Sequence, residues 1–104
     1  MKVQYFDLKN KRAVISGGAS GIGSSIVEHL CEQGVEVYFF DINKIEAQKT
    51  LKRIKSKNFK IPTFIECNVK NIKKYKSLIL NIVKRKGPID ILINNASNDQ
   101  RHNL

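Results

Sequence analysis

The chain is 104 residues long, enough for one small domain with a core and not for two. It carries 19 Lys+Arg against 9 Asp+Glu, a formal net charge of +10. Its lysines are spread over two predicted helix faces without interleaved aromatics, which argues against nucleic acid or an acidic membrane surface as the partner.

Residues 1–11 read as a lead-in arm anchored by Leu8, with no apolar signal core and no run of membrane length behind it. Cys31 and Cys67 stand alone, with no C-x-x-C and no histidine at ligand spacing. They read as buried thiols in a reducing compartment, so neither a disulfide nor a metal site is expected, and the expected location is the cytoplasm.

The first strand is predicted over Arg12 to Ser16, and a glycine-dense turn follows it: Gly17-Gly18-Ala19-Ser20-Gly21-Ile22-Gly23. Gly17 can adopt angles closed to other residues and turn the chain out of the strand. Gly21, lacking a Cβ, would let a pyrophosphate approach the main chain, and Gly23 would seat the helix against the strand. The opening helix turn would then offer N–H groups and about half a positive charge to an anion. Gly18 and Gly23 have P-loop spacing, but Ser24 stands where that loop requires lysine, so nucleotide-triphosphate hydrolysis is not expected. The bland alternative is an unstructured glycine-rich turn.

The first helix carries an inward stripe of Ile22, Ile26, Val27, Leu30 and Cys31, capped by Gly34. His29 lies at the edge of that stripe and reads as a packing or surface residue. Val35 to Phe40 is β-branched and aromatic, a buried second strand ending at Asp41. That carboxylate lies near the offset of about 20 residues expected of an acid gripping the adenosine ribose. It would accept from both ribose hydroxyls and repel a 2′-phosphate, which favours NAD over NADP; Lys44 softens that preference, and helix capping is the alternative role.

Asn43 and Glu46 form a capping box for a second helix reaching about Lys57, with Ala47, Leu51 and Ile54 inward. A third strand is predicted over Ile61 to Glu66, with Pro62 tolerated near its start. The third helix, about Ile72 to Lys86, turns Ile72, Tyr75, Leu78, Ile79, Ile82 and Val83 inward, and Gly87-Pro88 stops it. Ile89 to Ile93 reads as a fourth strand covered on both faces. With right-handed crossovers the fold class is α/β: a doubly wound, Rossmann-type parallel sheet in the order 3-2-1-4 with three helices.

Ser16-Gly17-Gly18-Ala19-Ser20-Gly21-Ile22-Gly23 resembles the coenzyme loop of the short-chain dehydrogenase/reductase family, usually T-G-x-x-x-G-I-G. Asn94-Asn95-Ala96-Ser97 resembles that family's N-N-A-G signature, with serine in place of the last glycine. The resemblance spans essentially the whole chain. It implies a coenzyme site in which Ser16, Gly17, Ser20, Gly21, Ile22 and Gly23 hold the pyrophosphate and Asp41 holds the ribose. Asn68 and Val69 would hold the adenine edge, where the family commonly has Asp-Val, and Asn95 and Ala96 the nicotinamide-side ribose. Capping of the next helix is the alternative role for Asn68.

The family's hydride chemistry uses a serine and a Tyr-x-x-x-Lys pair, and none of these is assigned here. Tyr38 and Tyr75 have isoleucine four positions on, and Tyr5-Phe6-Asp7-Leu8-Lys9 precedes the first strand and is read as coincidence. Asp99 and His102 read as part of a frayed polar tail. The expectation is therefore the truncated, NAD-binding half of an oxidoreductase acting on hydroxyl or carbonyl substrates, not competent alone. Its open fourth strand is expected to leave it marginally stable or in need of a second copy or a complementing chain. A non-catalytic dinucleotide- or partner-binding module is the rival reading.

Overall fold

In a computed structural model of the chain, residues 7–95 are described. The elements follow in the order β1 (Arg12–Ser16), α1 (Gly21–Glu32), β2 (Glu36–Asp41), α2 (Lys44–Ser56), β3 (Thr63–Glu66), α3 (Ile72–Lys86) and β4 (Ile91–Asn94). All strand pairs are parallel and the sheet order is β3-β2-β1-β4, as expected.

Three strands begin later than the sequence predicts, β2 by a single residue, at Glu36. Pro62 has no N–H to give to the ladder, so β3 starts at Thr63. Before β4, Asp90 is occupied with Arg12: its N–H donates to Arg12 O and its carboxylate accepts from Arg12 N. β2 ends at Asp41, as the sequence predicts, and that residue pairs with Glu66.

Helix ends follow local chemistry. Gly34, with φ +84°, follows the α1 C-cap at Gln33, and Gly34 N and Val35 N donate to Cys31 O and Leu30 O. That is a Schellman closure, which needs a left-handed residue at this position. Asn58 (φ 62°) closes α2 in the same way, with Phe59 N reaching Ile54 O. The Asn43–Glu46 half of the predicted capping box forms, Asn43 Oδ1 accepting from Glu46 N at 3.0 Å. The N-cap of α3 is Asn71, whose side chain accepts from Lys74 N, and not Asn68.

Because β1→β2→β3 moves one way across the sheet and β3→β4 moves back, α1 and α2 cover one face and α3 the other. The first face holds Ala13, Ile15, Val27, Val37, Phe39 and Ile54, all buried. The second holds Val14, Tyr38, Phe40, Cys67 and Ile82, with Phe40 and Tyr75 meeting edge-on at 5.1 Å.

Several residues predicted to turn inward do not. Ile22 is 72% exposed, because it sits in the first turn of α1 beyond the end of the sheet. Ile72 and Val83 are also exposed, leaving Ile82 as the buried residue of α3 among Tyr75, Leu78 and Ile79, which are half-buried. β4 is not covered on both faces: Ile91 and Ile93 pack against the α1/α2 core, while Leu92 is 55% exposed. β4 is an edge strand, and α3 packs over β1 and β2 rather than over it.

Candidate functional site

The carboxyl ends of the four strands and the loops beyond them gather most of the residues singled out in the sequence. The glycine loop is held by its neighbours almost atom by atom. Gly17 N donates to Phe40 O at 2.7 Å, and Gly17 O accepts from Asn95 Nδ2 at 3.1 Å. Ala19 N donates to Asp41 Oδ2 at 3.0 Å, and Thr50 Oγ1 donates to Ala19 O at 2.7 Å. Asp41 and the loop therefore lie on the same side of the sheet, as a shared ligand would require.

Three glycines serve three physical ends. Gly23 is fixed by space: a Cβ there would lie 1.9 Å from Gly17 O and 2.9 Å from Asn95 Nδ2. Gly21, at φ +60°, has nothing within 4 Å of where a Cβ would stand, so the main chain faces an opening. Gly18 was not read as a site residue; a Cβ there would sit 2.7 Å from Phe39 Cβ, so the loop lies flat on β2. The glycine pair was the signal that could have marked it.

The electrostatics suit an anion. Ser20 is the N-cap of α1 without a side-chain cap bond, and the first turn contains no acid. The first helical bond of α1 runs from Ser24 N to Ser20 O, so the N–H groups of Gly21, Ile22 and Gly23 precede the helical ladder. Those donors and the helix dipole favour a phosphate at this point. Asp41 Oδ1 also accepts from Asn43 N at 2.9 Å, which shapes the turn into α2. Two lone-pair positions on that carboxylate remain for a diol. The residues present thus fit a dinucleotide.

The other predicted positions are placed as follows. Ser16 is buried at the end of β1, its hydroxyl donating to Ile93 O at 3.5 Å and hydrogen-bonded to the Tyr75 phenol. Burial holds that phenol above its ordinary value, the Ser16 bond pulling the other way. Asn68 is exposed after β3, its Oδ1 accepting from Lys70 N at 3.0 Å in a tight local turn. Val69 is half-buried against the α3 face. Ala96 lies outside the described residues, as do Tyr5, Ser97, Asp99 and His102. Among the described residues no group of three or more His, Cys, Asp or Glu is placed to hold a metal. None of the described helices is long and apolar enough to cross a membrane.

A parallel sheet wound in both directions, with a glycine loop between its first strand and helix, defines a Rossmann-type coenzyme-binding fold. The sequence pattern of the short chain dehydrogenase family matches residues 11–104, and the chain belongs to that family. D-xylose 1-dehydrogenase of Caulobacter vibrioides is 38% identical over 100 residues, covering 96% of this chain and 38% of that relative. A diacetyl reductase ((S)-acetoin forming) of Staphylococcus epidermidis is 32% identical over 90 residues, 86% of this chain and 35% of the relative. Among solved structures, a betaketoacyl-ACP reductase from Bacteroides thetaiotaomicron superposes with a TM-score of 0.78 at 27% identity, covering 85% of this chain and 42% of that one. L-sorbose reductase from Gluconobacter frateurii, solved with NADPH and L-sorbose, gives 0.72 at 25% identity, covering 84% of this chain and 33% of that one. The chain thus spans well under half the length of these relatives.

Proposed function

We propose that this chain is the coenzyme-binding half of an NAD-dependent short-chain dehydrogenase/reductase, a single partial domain over residues 1–104. In this reading Gly17, Ser20, Gly21, Ile22 and Gly23 hold the diphosphate at the start of α1, with Ser16 supporting the turn. Asp41 takes the adenosine ribose, Asn68 and Val69 the adenine edge, and Asn95 and Ala96 the second ribose. A bound nicotinamide would supply the hydride acceptor or donor for a hydroxyl or carbonyl substrate. The chain's own part is to bind and orient that coenzyme. The reading takes the reaction class from the relatives and leaves their particular substrates with them.

The observation that carries the proposal is the 3.0 Å bond from Ala19 N to the Asp41 carboxylate, which joins phosphate loop and ribose acid in one site. NAD is preferred over NADP because a 2′-phosphate would meet that carboxylate's negative charge. The buried thiols Cys31 and Cys67 support a reducing, cytoplasmic setting; burial pushes Cys31 up to about 12, which makes it inert. The exposed edge at Leu92 supports dependence on a covering polypeptide, a second copy or a complementing chain.

Calorimetric titration with NAD and NADP tests the proposal, beside a dehydrogenase assay against an alcohol panel. NAD is expected to bind about tenfold tighter than NADP, a difference of about 1.4 kcal/mol. A folded sample that ignores NAD at millimolar levels refutes it. The second reading is a non-catalytic dinucleotide- or partner-binding module. Turnover gained when a complementing catalytic segment is supplied favours the first reading, and binding that no such segment converts to turnover favours the second.

A further inference from the structure

We infer that Thr50, in the middle of α2, is a positioning residue for the coenzyme loop. It makes no contact of its own with the coenzyme and acts through the carbonyl of Ala19. The inference rests on the dinucleotide reading above.

Thr50 is out of character with its helix. α2 is rich in lysine, and its inward stripe otherwise consists of Ala47 and Ile54, both fully buried, with Leu51 beside them. Thr50 lies in that stripe at 1% exposure. A buried hydroxyl needs a partner, and a helical threonine ordinarily finds one on the carbonyl three or four residues back in its own helix. Thr50 instead donates across to Ala19 O at 2.7 Å, 31 residues away in sequence. Ala19 is itself buried, and its carbonyl lies just ahead of the first helical bond of α1, from Ser24 N to Ser20 O. Without Thr50 that carbonyl would lose this partner in a dry place.

Ala19 is consequently gripped at both ends. Its N–H is held by Asp41 and its C=O by Thr50. The two peptide planes flanking Ala19 lie between the turn at Gly17 and the opening at Gly21, so their orientation sets where the N–H groups of Gly21 to Gly23 aim. A preorganised set of donors binds an anion better than one that must be ordered on arrival. Thr50 thus couples the packing of α2 to the geometry of the anion cradle, and it shares its target residue with the ribose acid.

The test compares T50V and T50S with the unaltered chain by NAD calorimetry and by amide exchange without ligand. T50V keeps the shape and removes the donor; T50S keeps the donor. Expected for T50V are NAD affinity lower by about tenfold and faster exchange confined to residues 18–23, with T50S restoring both toward the original values. Equal affinity and equal loop exchange in T50V overturn the inference. So does loss that T50S fails to restore, or failure of T50V to fold, since either would make Thr50 a packing residue. If the unaltered chain takes up no NAD, the coenzyme reading fails, while loop exchange in T50V against T50S still decides whether Thr50 fixes the loop.

Discussion

The two faces of the sheet are finished to different degrees. On the α1/α2 side, side chains from four strands and two helices close over Phe39, Ile54 and Val27, and the helices are latched outside by Glu28 to Arg53 and Lys57. On the α3 side, one helix with a single fully buried residue spans the sheet, and Leu80, Val83 and Leu92 stay in water. The glycine loop is built mainly from the finished side: Phe40 O, Asp41 and Thr50 hold it, and the Asn95 bond comes from the β4 edge. The loop can thus be well ordered on a sheet whose other face is less covered among the described residues.

The largest effect should come from cutting into the finished face. F39A removes a fully buried ring that packs 5.3 Å from Phe64 and supports Gly18, and should destabilise by about 3–5 kcal/mol. That is a large share of the roughly 5–15 kcal/mol typical of domains. L80A on the open face, where the side chain is 66% exposed, should change the denaturation midpoint by no more than about 0.5 kcal/mol equivalent. Equal sensitivity of the two faces would break the contrast.

A middle-sized effect is expected at Asp41. If that carboxylate were only a ribose selector, D41A would trade NAD for NADP. Because it also holds Ala19 N and Asn43 N, D41A should weaken NAD by about tenfold or more without a compensating gain for NADP. Parallel calorimetric titrations of the two coenzymes distinguish these outcomes.

The smallest effect concerns the latch. Hydrogen bonds from Lys57 and then Arg53 hold the Glu28 carboxyl below its ordinary value of 4.5. A carboxyl depressed in the folded state contributes stability above its unfolded value, and that contribution fades as pH falls through the folded one. Stability should therefore drop as the solution is acidified below about pH 4.5, and E28Q should remove that component. Being a surface pair, it is worth at most about 1 kcal/mol. Urea melts at pH 7 and pH 3.5 measure it.

Much of this arrangement was legible in the sequence, because it is written in residue types with few substitutes. Gly17, Gly21 and Gly23 announce a turn, an opening and a close approach, and Asp41 ends an unbroken apolar run. The order of the strands followed from strand–helix alternation and the handedness of crossovers. What escaped was decided in three dimensions. Ile22 fits a helical stripe by spacing, yet its turn overhangs the sheet. Thr50 reads as one more polar residue of a lysine-rich helix until its distance to Ala19 is known. Asn68 and Asn71 are both good caps, and only the actual start of α3 separates them. The cover over Leu92 depends on neighbours that spacing within the strand cannot reveal.

The bond from Asn95 to Gly17 joins positions 78 residues apart. A nascent chain exposes the glycine turn early but must wait for almost all of this segment to be synthesised before that turn receives its last support. Closing so long a loop carries an entropic penalty before any contact rewards it. The glycine turn is thereby completed only on the arrival of β4, so a shorter nascent chain holds it ajar.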